Sequence, residues 1–186
     1  MFSKKAFSLL VASSLLLTCC ATITKILPDK KAVSVLSGRE AVDGQVLAVK
    51  IDDTNMAHPQ IGLEDADVVY IEQVEGGLTR LAAVFSSTIP VRIGPVRSAR
   101  ISDIDILSQY GRVAFAYSGA QRKLLPVIAD ANLEDLGAQH ESSKIFTTDP
   151  NRIAPYAMVL RADLLMQKIV DEKLQVDSAK SVGFVF

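Results

Sequence analysis

The sequence predicts an α/β fold with a mixed β-sheet, a central antiparallel hairpin and helices inserted between strands. Three observations support this prediction. An apolar run at residues 46–51 is typical of a buried strand, and two segments rich in β-branched and aromatic residues flank a Gly-Gly pair at residues 76 and 77. After residue 98, apolar residues recur at helical spacing.

The N-terminus has the features of a secretory signal. Lys4 and Lys5 precede an apolar run at residues 6–17, and Cys19 and Cys20 follow it. A positively charged start, a short apolar run and small residues at the end are typical of signal peptides. The apolar run is shorter than the roughly 20 residues that a transmembrane helix needs. We therefore expect residues 1–20 to be a signal peptide.

The end of this segment, Leu17-Thr18-Cys19-Cys20, resembles a bacterial lipobox, in which a cysteine becomes the lipidated first residue of the mature protein. This resemblance implies lipidation at Cys20 and an extracytoplasmic domain anchored to the cell membrane. Plain secretion, an uncleaved anchor and Cys19 as the acceptor are the alternatives. On the favoured reading no cysteine remains in the folded domain to form a disulfide.

Residues 21–44 are polar and weakly periodic, which is typical of a tether, so the domain is expected to span residues 45–186. Its first strand is predicted at residues 46–51 and ends at Asp52 and Asp53. Residues 54–66 contain Pro59 and Gly62 and are predicted to form a loop.

The hairpin is predicted over residues 67–87. Its two arms are rich in valine, isoleucine and aromatic residues, and the glycines between them allow the positive φ angles that tight turns require. Glu72, Glu75 and Arg80 are predicted on its exposed face. Either glutamate could pair with Arg80 across the hairpin.

A helix is predicted from about Ser98 to Tyr110. Ile101, Ile104 and Leu107 share one face, which we expect to turn into the core, and Arg97, Arg100 and Asp103 form a second row. The start of a helix carries partial positive charge, so two arginines there are poorly placed unless an anion lies with them.

The rest of the chain alternates between strands, helices and loops. A strand at residues 112–117 leads into a helix to about Ala129, because Ser118 and Gln121 match a capping box. Residues 130–155 are predicted to be loop-rich, and a helix is expected from Arg161 to about Lys173. The final GFVF, residues 183–186, is predicted to start a strand that needs a partner element, so a protein partner or self-association is expected there.

Composition excludes some functions. The chain has 186 residues, of which 49% are hydrophobic and 22% charged, and its net charge is −1, so it lacks the basic excess expected of a nucleic-acid-binding protein. It contains neither a GxGxxG motif nor a phosphate-loop lysine, so no nucleotide cofactor is predicted.

The segments VLAVKIDDTNMAHPQIGLEDADVVYIEQVEGGLTRLAAVFSS, IGPVRSAR and FTTDPNRIAPYA resemble the N-terminal domain of YerB-like bacterial lipoproteins, the DUF3048 family of unknown function. The resemblance covers about residues 46–165. It implies an envelope location and agrees with the lipobox. Typical members continue into a second, β-rich domain, which we expect to be absent from this chain.

The arginines suggest a binding site. Guanidinium groups match phosphate and carboxylate geometry, and a helix N-terminus adds N–H donors. The predicted ligand-binding residues are Arg80, Arg97, Arg100, Ser98, Ser118 and Gly119. The alternative is internal ion pairing with acidic side chains, and the candidate partners are Asp52, Asp53, Glu72, Glu75 and Asp103.

No catalytic residue can be assigned, because neither His58 nor His140 lies in a recognised nucleophile motif, and no metal site is predicted. The favoured prediction is a lipid-anchored envelope protein that binds a phosphate- or carboxylate-bearing ligand through its arginines. An envelope enzyme acting on a phosphate-containing substrate is one alternative. An interaction module completed by a partner chain is another.

Overall fold

A computed structural model describes residues 31–186, and residues 33–186 form one compact unit. The predicted signal peptide, Cys20 and the first part of the predicted tether lie outside the described residues. Within residues 31–186, no helix combines the length and the apolar character needed to cross a membrane.

The fold is α/β, as predicted, with two sheets and three α-helices among the described residues. The strands are β1 (Leu47–Asp52), β2 (Val68–Gln73), β3 (Thr79–Phe85), β4 (Arg92–Ile93), β5 (Val113–Ala116), β6 (Leu133–Asp135), β7 (Phe146–Thr148) and β8 (Met158–Arg161). The helices are α1 (Ile101–Ser108), α2 (Leu125–Asp130) and α3 (Ala162–Asp171).

The larger sheet has the strand order β2-β3-β1-β5-β6. The pairs β2–β3 and β3–β1 are antiparallel, whereas β1–β5 and β5–β6 are parallel, so the predicted mixed sheet is confirmed. The smaller sheet is antiparallel with the order β4-β8-β7.

The predicted hairpin is formed by β2 and β3. Gly76 and Gly77 between the strands have φ angles of 75° and 72°, a conformation that glycine adopts without steric cost. The hairpin lies on one side of the larger sheet, with β2 at its edge, rather than in the middle, because β1 pairs with β3 on one side and β5 on the other.

Apolar side chains cover both faces of the larger sheet, because successive residues of a strand point to opposite faces. Val49 and Ile51 of β1 pack in one cluster with Leu165 and Ile169 of α3. Ala48 belongs to a second cluster on the other face, and the other members of this cluster include Leu107, Phe115, Tyr117 and Ile128. All six residues of β1 are buried, including Lys50 and Asp52.

The predicted boundary at residue 44 between tether and domain is wrong, because the domain begins near Val33. Leu36 is buried in the second apolar cluster. The Arg39 guanidinium donates hydrogen bonds to the carbonyl oxygens of residues 64, 65 and 66, at 2.9–3.2 Å. The N–H of Val35 donates to Asp43 Oδ2 at 2.7 Å. These contacts join residues 33–44 to the folded unit.

The orientation of α1 also differs from the prediction. The helix begins at Ile101, and the Ile101 side chain is 61% exposed, whereas Asp103 is fully buried beside Leu107. Arg97 and Arg100 precede the helix, so they do not share one of its faces. The reason is an ion pair between Asp103 and Lys50 of β1, which turns the side of the helix that carries Asp103 towards the sheet.

Two further expectations fail, at the start of α2 and at the C-terminus. Ser118 and Gln121 form no capping box, because α2 begins at Leu125. Residues 130–155 are loop-rich as predicted, and they also contain the short strands β6 and β7. Residues 183–186 form no strand, and the Phe186 ring instead packs so closely on Gly38 that a Cβ there would lie 2.7 Å from it. The partner expected at GFVF stays a prediction, because Val185 and Phe186 are 94% and 69% exposed. The helix predicted from Arg161 is confirmed as α3.

Candidate functional site

The candidate site lies where the parallel strands β1 and β5 end. The chain before α1 runs between these ends, since the N–H of Arg97 donates to the carbonyl oxygen of Lys50 and the N–H of Ser118 donates to that of Arg97, both at 2.9 Å. The N–H of Ala99 donates to the carbonyl oxygen of Gly119 at 2.9 Å. Ligands of α/β sheets commonly bind beyond the carboxyl ends of parallel strands.

Arg80 reaches this position from β3. Its Nη1 donates to the carbonyl oxygen of Ser98 at 2.9 Å, and its side chain is half-buried. Within residues 31–186, no carboxylate oxygen lies within 4.0 Å of the Arg80 guanidinium. Burial lowers the pKa of Arg80, the charges of Arg100 and Arg97 lower it further, and the charges of Asp52 and Glu75 oppose this decrease. Arg80 is therefore close enough to the other two guanidinium groups to be repelled by them.

Arg97 and Arg100 each have an acidic partner. Arg97 Nε lies 2.5 Å from Asp52 Oδ2, but the angle is not that of a hydrogen bond, so both buried atoms lack a hydrogen-bond partner. The Arg97 guanidinium also lies 5.9 Å from the centre of the Tyr156 ring. Arg100 donates from Nε and Nη2 to Glu75 Oε2, at 3.0 and 2.8 Å.

Glu75 is the exposed acid of the cluster. Its Oε1 accepts a hydrogen bond from Gln121 at 3.1 Å, and its side chain is 61% exposed. A hydrogen bond from its own backbone N–H, together with the bond from Arg100, lowers the pKa of Glu75. Asp52 and Glu75 thus pair with Arg97 and Arg100, whereas Arg80 has no carboxylate in contact among the described residues.

The predicted serines and glycine lie beside these arginines. The hydroxyl oxygens of Ser98 and Ser118 are 3.5 Å apart. A Cβ at Gly119 would meet no heavy atom within 4 Å, so the chain there faces open space. A cavity of about 300 Å³ opens at Arg97 and Ser118, and its lining also includes Thr148 and Pro155 but neither Arg80 nor Arg100.

Glu72 and Asp103 are not available to these arginines, because both bind Lys50. Lys50 Nζ donates to Glu72 Oε1 and, at 2.7 Å, to Asp103 Oδ1, and none of the lysine side chain is exposed. Ser102 Oγ donates to Glu72 Oε2. Asp103 Oδ2 accepts the backbone N–H of Arg100 at 2.6 Å, so the buried cluster also fixes the start of α1.

The two acids of the buried cluster titrate differently. Burial raises the pKa of Asp103 to about 6, with Glu72 adding to the rise and Lys50 opposing it. Burial also acts to raise the pKa of Glu72, but hydrogen bonds from Lys50 and Ser102 outweigh it and lower that pKa. Lys50 is not among the residues predicted from the sequence. Its signal was a lysine inside a near-continuous apolar strand, because a buried lysine requires acidic partners.

Asp53 lies to one side of the cluster. Its Oδ2 accepts a hydrogen bond from Thr79 at 2.6 Å, and its Oδ1 lies 3.4 Å from His58 Nε2. In the part of the chain that the structure describes, no three histidine, cysteine, aspartate or glutamate side chains are grouped so that they could hold a metal ion.

Comparison with known proteins places this fold in a family. The family described as "Protein of unknown function (DUF3048) N-terminal domain" matches residues 35–175. The Bacillus subtilis (strain 168) protein named "Putative lipoprotein YerB" is 39% identical over 79 residues, which cover 39% of this chain and 24% of that protein. The crystal structure of YerB protein from Bacillus subtilis matches with a TM-score of 0.72 at 22% identity, over 78% of this chain and 51% of that chain.

The structural match shows a shared fold, and the chain spans about half of the YerB chain in that structure. The family match covers most of the compact unit and includes the arginine cluster, the buried Lys50 cluster and both sheets. The chain therefore belongs to the DUF3048 N-terminal domain family, whose function is unknown.

Proposed function

We propose that this protein is a lipid-anchored envelope protein whose domain binds a phosphate- or carboxylate-bearing ligand through Arg80, Arg97 and Arg100. The observation that carries the proposal is the half-buried Arg80 guanidinium, which has no carboxylate within 4.0 Å among the described residues and is repelled by two other arginines. Such an arrangement costs free energy in the unliganded domain, and a bound anion offsets that cost.

Internal ion pairing explains part of the cluster. Asp52 forms an ion pair with Arg97, and Glu75 forms one with Arg100, but neither carboxylate lies in contact with Arg80. Guanidinium groups hold phosphate and carboxylate through paired N–H donors, and the hydroxyls of Ser98 and Ser118 lie beside them. An anion at this point gives Arg80 a partner for its charge.

Anion binding predicts a rise in melting temperature. We expect phosphate, pyrophosphate or citrate to stabilise residues 21–186 more than chloride does at equal ionic strength. Screening of charges is then the same in each solution, so any additional stabilisation comes from a bound anion. At 100 times the dissociation constant, binding contributes about 2.7 kcal/mol, or a shift of about 5–10 °C for a domain of this size. Melting temperatures that none of these anions raises above the chloride value would contradict the proposal.

The proposed anchor is the lipid on Cys20. It is supported by Lys4 and Lys5, the short apolar run and the residues Leu17–Cys20, together with the name of the related YerB protein. We expect the Cys20→Ala variant to leave the membrane fraction or to accumulate with its signal peptide uncleaved, and Cys19→Ala to behave as wild type. Wild-type processing and membrane retention of Cys20→Ala would show that this residue carries no lipid.

A further inference from the structure

A second concavity adjoins the arginine cluster. It has a volume of about 400 Å³, which lies within the range of small-molecule sites, and it is separate from the cavity at Ser118. Four of its lining residues are apolar: Ala99, Ile101, Leu124 and Val127. We call this concavity the apolar groove.

The apolar groove lies between the start of α1 and the start of α2. Ala99 and Leu124 are buried and form its inner part, whereas Ile101 and Val127 are 61% and 40% exposed. The period of the α1 sequence would turn Ile101 into the core, yet the Asp103–Lys50 ion pair turns it to solvent. The fold thus leaves two large apolar side chains beside an apolar concavity.

The apolar groove and the arginine cluster share residues. Arg100 lines the groove and is one of the three repelling arginines, and Lys123 adds a second cation to the lining. Glu75, which also lines the groove, is held between Arg100 and Gln121. The groove therefore combines positive charge with apolar side chains. A molecule that has an anionic head next to an apolar part matches both features.

We infer that the ligand is a lipid-like amphiphile, with a phosphate head at the arginine cluster and an aliphatic chain in the apolar groove. This inference rests on the proposed anion binding and names the class of ligand. An aliphatic chain suits the groove better than a peptide does, because a buried peptide brings N–H and C=O groups that need hydrogen-bond partners. Ala99, Ile101, Leu124 and Val127 offer only apolar side chains, and the polar lining residues Glu75, Arg100 and Gln121 already bond to one another.

A series of alkyl phosphates tests the inference. Dissociation constants of inorganic phosphate, butyl phosphate and octyl phosphate are measured by calorimetry on residues 21–186, at constant ionic strength and below the micellar concentration. Each fully buried methylene tightens binding by up to about fourfold, so we expect octyl phosphate to bind at least about 10-fold more tightly than butyl phosphate. Inorganic phosphate reports the arginine cluster alone.

Substitutions in the apolar groove test whether the aliphatic chain of the ligand binds there. We expect Ile101→Asn and Val127→Asn to reduce the difference between octyl and butyl phosphate to about twofold, with the dissociation constant of inorganic phosphate unchanged. Leu125→Asn is the matched control, because Leu125 is 38% exposed in the same helix but does not line the groove. This control should keep the full dependence on chain length.

The outcomes separate the two proposals. Binding of inorganic phosphate without dependence on chain length overturns the amphiphile inference and leaves anion binding intact. A chain-length dependence that persists in Ile101→Asn and Val127→Asn also overturns it, because the chain then lies elsewhere. If an acidic peptide with leucine side chains binds more tightly than octyl phosphate, the ligand is a peptide. If no phosphate compound binds, anion binding fails as well.

Discussion

Replacing Lys50 by methionine is expected to lower the free energy of unfolding by about 3–5 kcal/mol at pH 7. The lysine is fully buried and is the shared partner of Glu72 and Asp103. Without it, two carboxylates stay inside the protein with no opposite charge in hydrogen-bond contact. Removal of one partner from a buried ion pair costs more than the pair contributes, because the remaining charge cannot return to water.

The same variant should be less destabilised at acidic pH. A carboxyl group whose pKa is raised in the folded state contributes stability below that pKa and loses it as the pH rises through it. The pKa of Asp103 is already raised to about 6 by burial, and loss of Lys50 should raise the pKa of both acids. The deficit of the variant should therefore shrink between pH 7 and pH 5.

Urea denaturation at pH 5 and pH 7 measures both effects. Lys144→Met is the control, because Lys144 is exposed and its replacement should change the free energy of unfolding by less than about 0.5 kcal/mol. A Lys50→Met variant within about 1 kcal/mol of wild type at pH 7 would show that this buried cluster contributes little to stability.

Replacing Arg80 by glutamine is expected to weaken phosphate binding by about 10- to 150-fold, without loss of stability. The loss corresponds to a hydrogen bond with a charged group, which contributes about 1.5–3 kcal/mol. Stability should be unchanged or higher, because the variant removes a charge that Arg97 and Arg100 repel.

Arg97→Gln, unlike Arg80→Gln, should lower the free energy of unfolding. It leaves Asp52, whose side chain is 1% exposed, without its cation, so we expect a loss of about 1–3 kcal/mol. Arg92→Gln controls for a general loss of positive charge, since Arg92 is exposed and has a distant partner, Asp149, at 3.8 Å. If Arg80→Gln kept full phosphate binding and lost stability, Arg80 would be a structural residue only.

Local sequence patterns were sufficient for β1, β5 and the hairpin. The apolar run at residues 46–51 and the Gly-Gly pair at 76 and 77 specify their elements through periodicity and backbone freedom. The strands β6 and β7 have three residues each, which is too short for a periodic pattern, and they form because β5 and β8 provide hydrogen-bond partners. Their existence depends on the tertiary fold.

The arrangement of charges could be predicted only in part. Arg97 and Arg100 were predicted as site residues because they precede a helix, and in the structure both are close enough to Arg80 to lower its pKa. The sequence does not show which acidic side chains pair with the arginines and which pair with Lys50. Glu72 lies opposite Arg80 in the strand register, yet it binds Lys50, which lies two strands away on the same face of the sheet. Such competition is decided by tertiary geometry.

In β1, apolar residues on one face alternate with Ala48, Lys50 and Asp52 on the other, and this alternation affects which strand register is most stable. A shift of β1 by one residue against β3 would turn Lys50 and Asp52 towards the aliphatic cluster around Leu165 and Ile169. The neighbouring residues of β3, Ala82 and Ala83, are identical small side chains on opposite faces and discriminate poorly between the two alignments. Burial of two unpaired charges would cost several kcal/mol each, so the charged residues penalise misaligned sheets during folding.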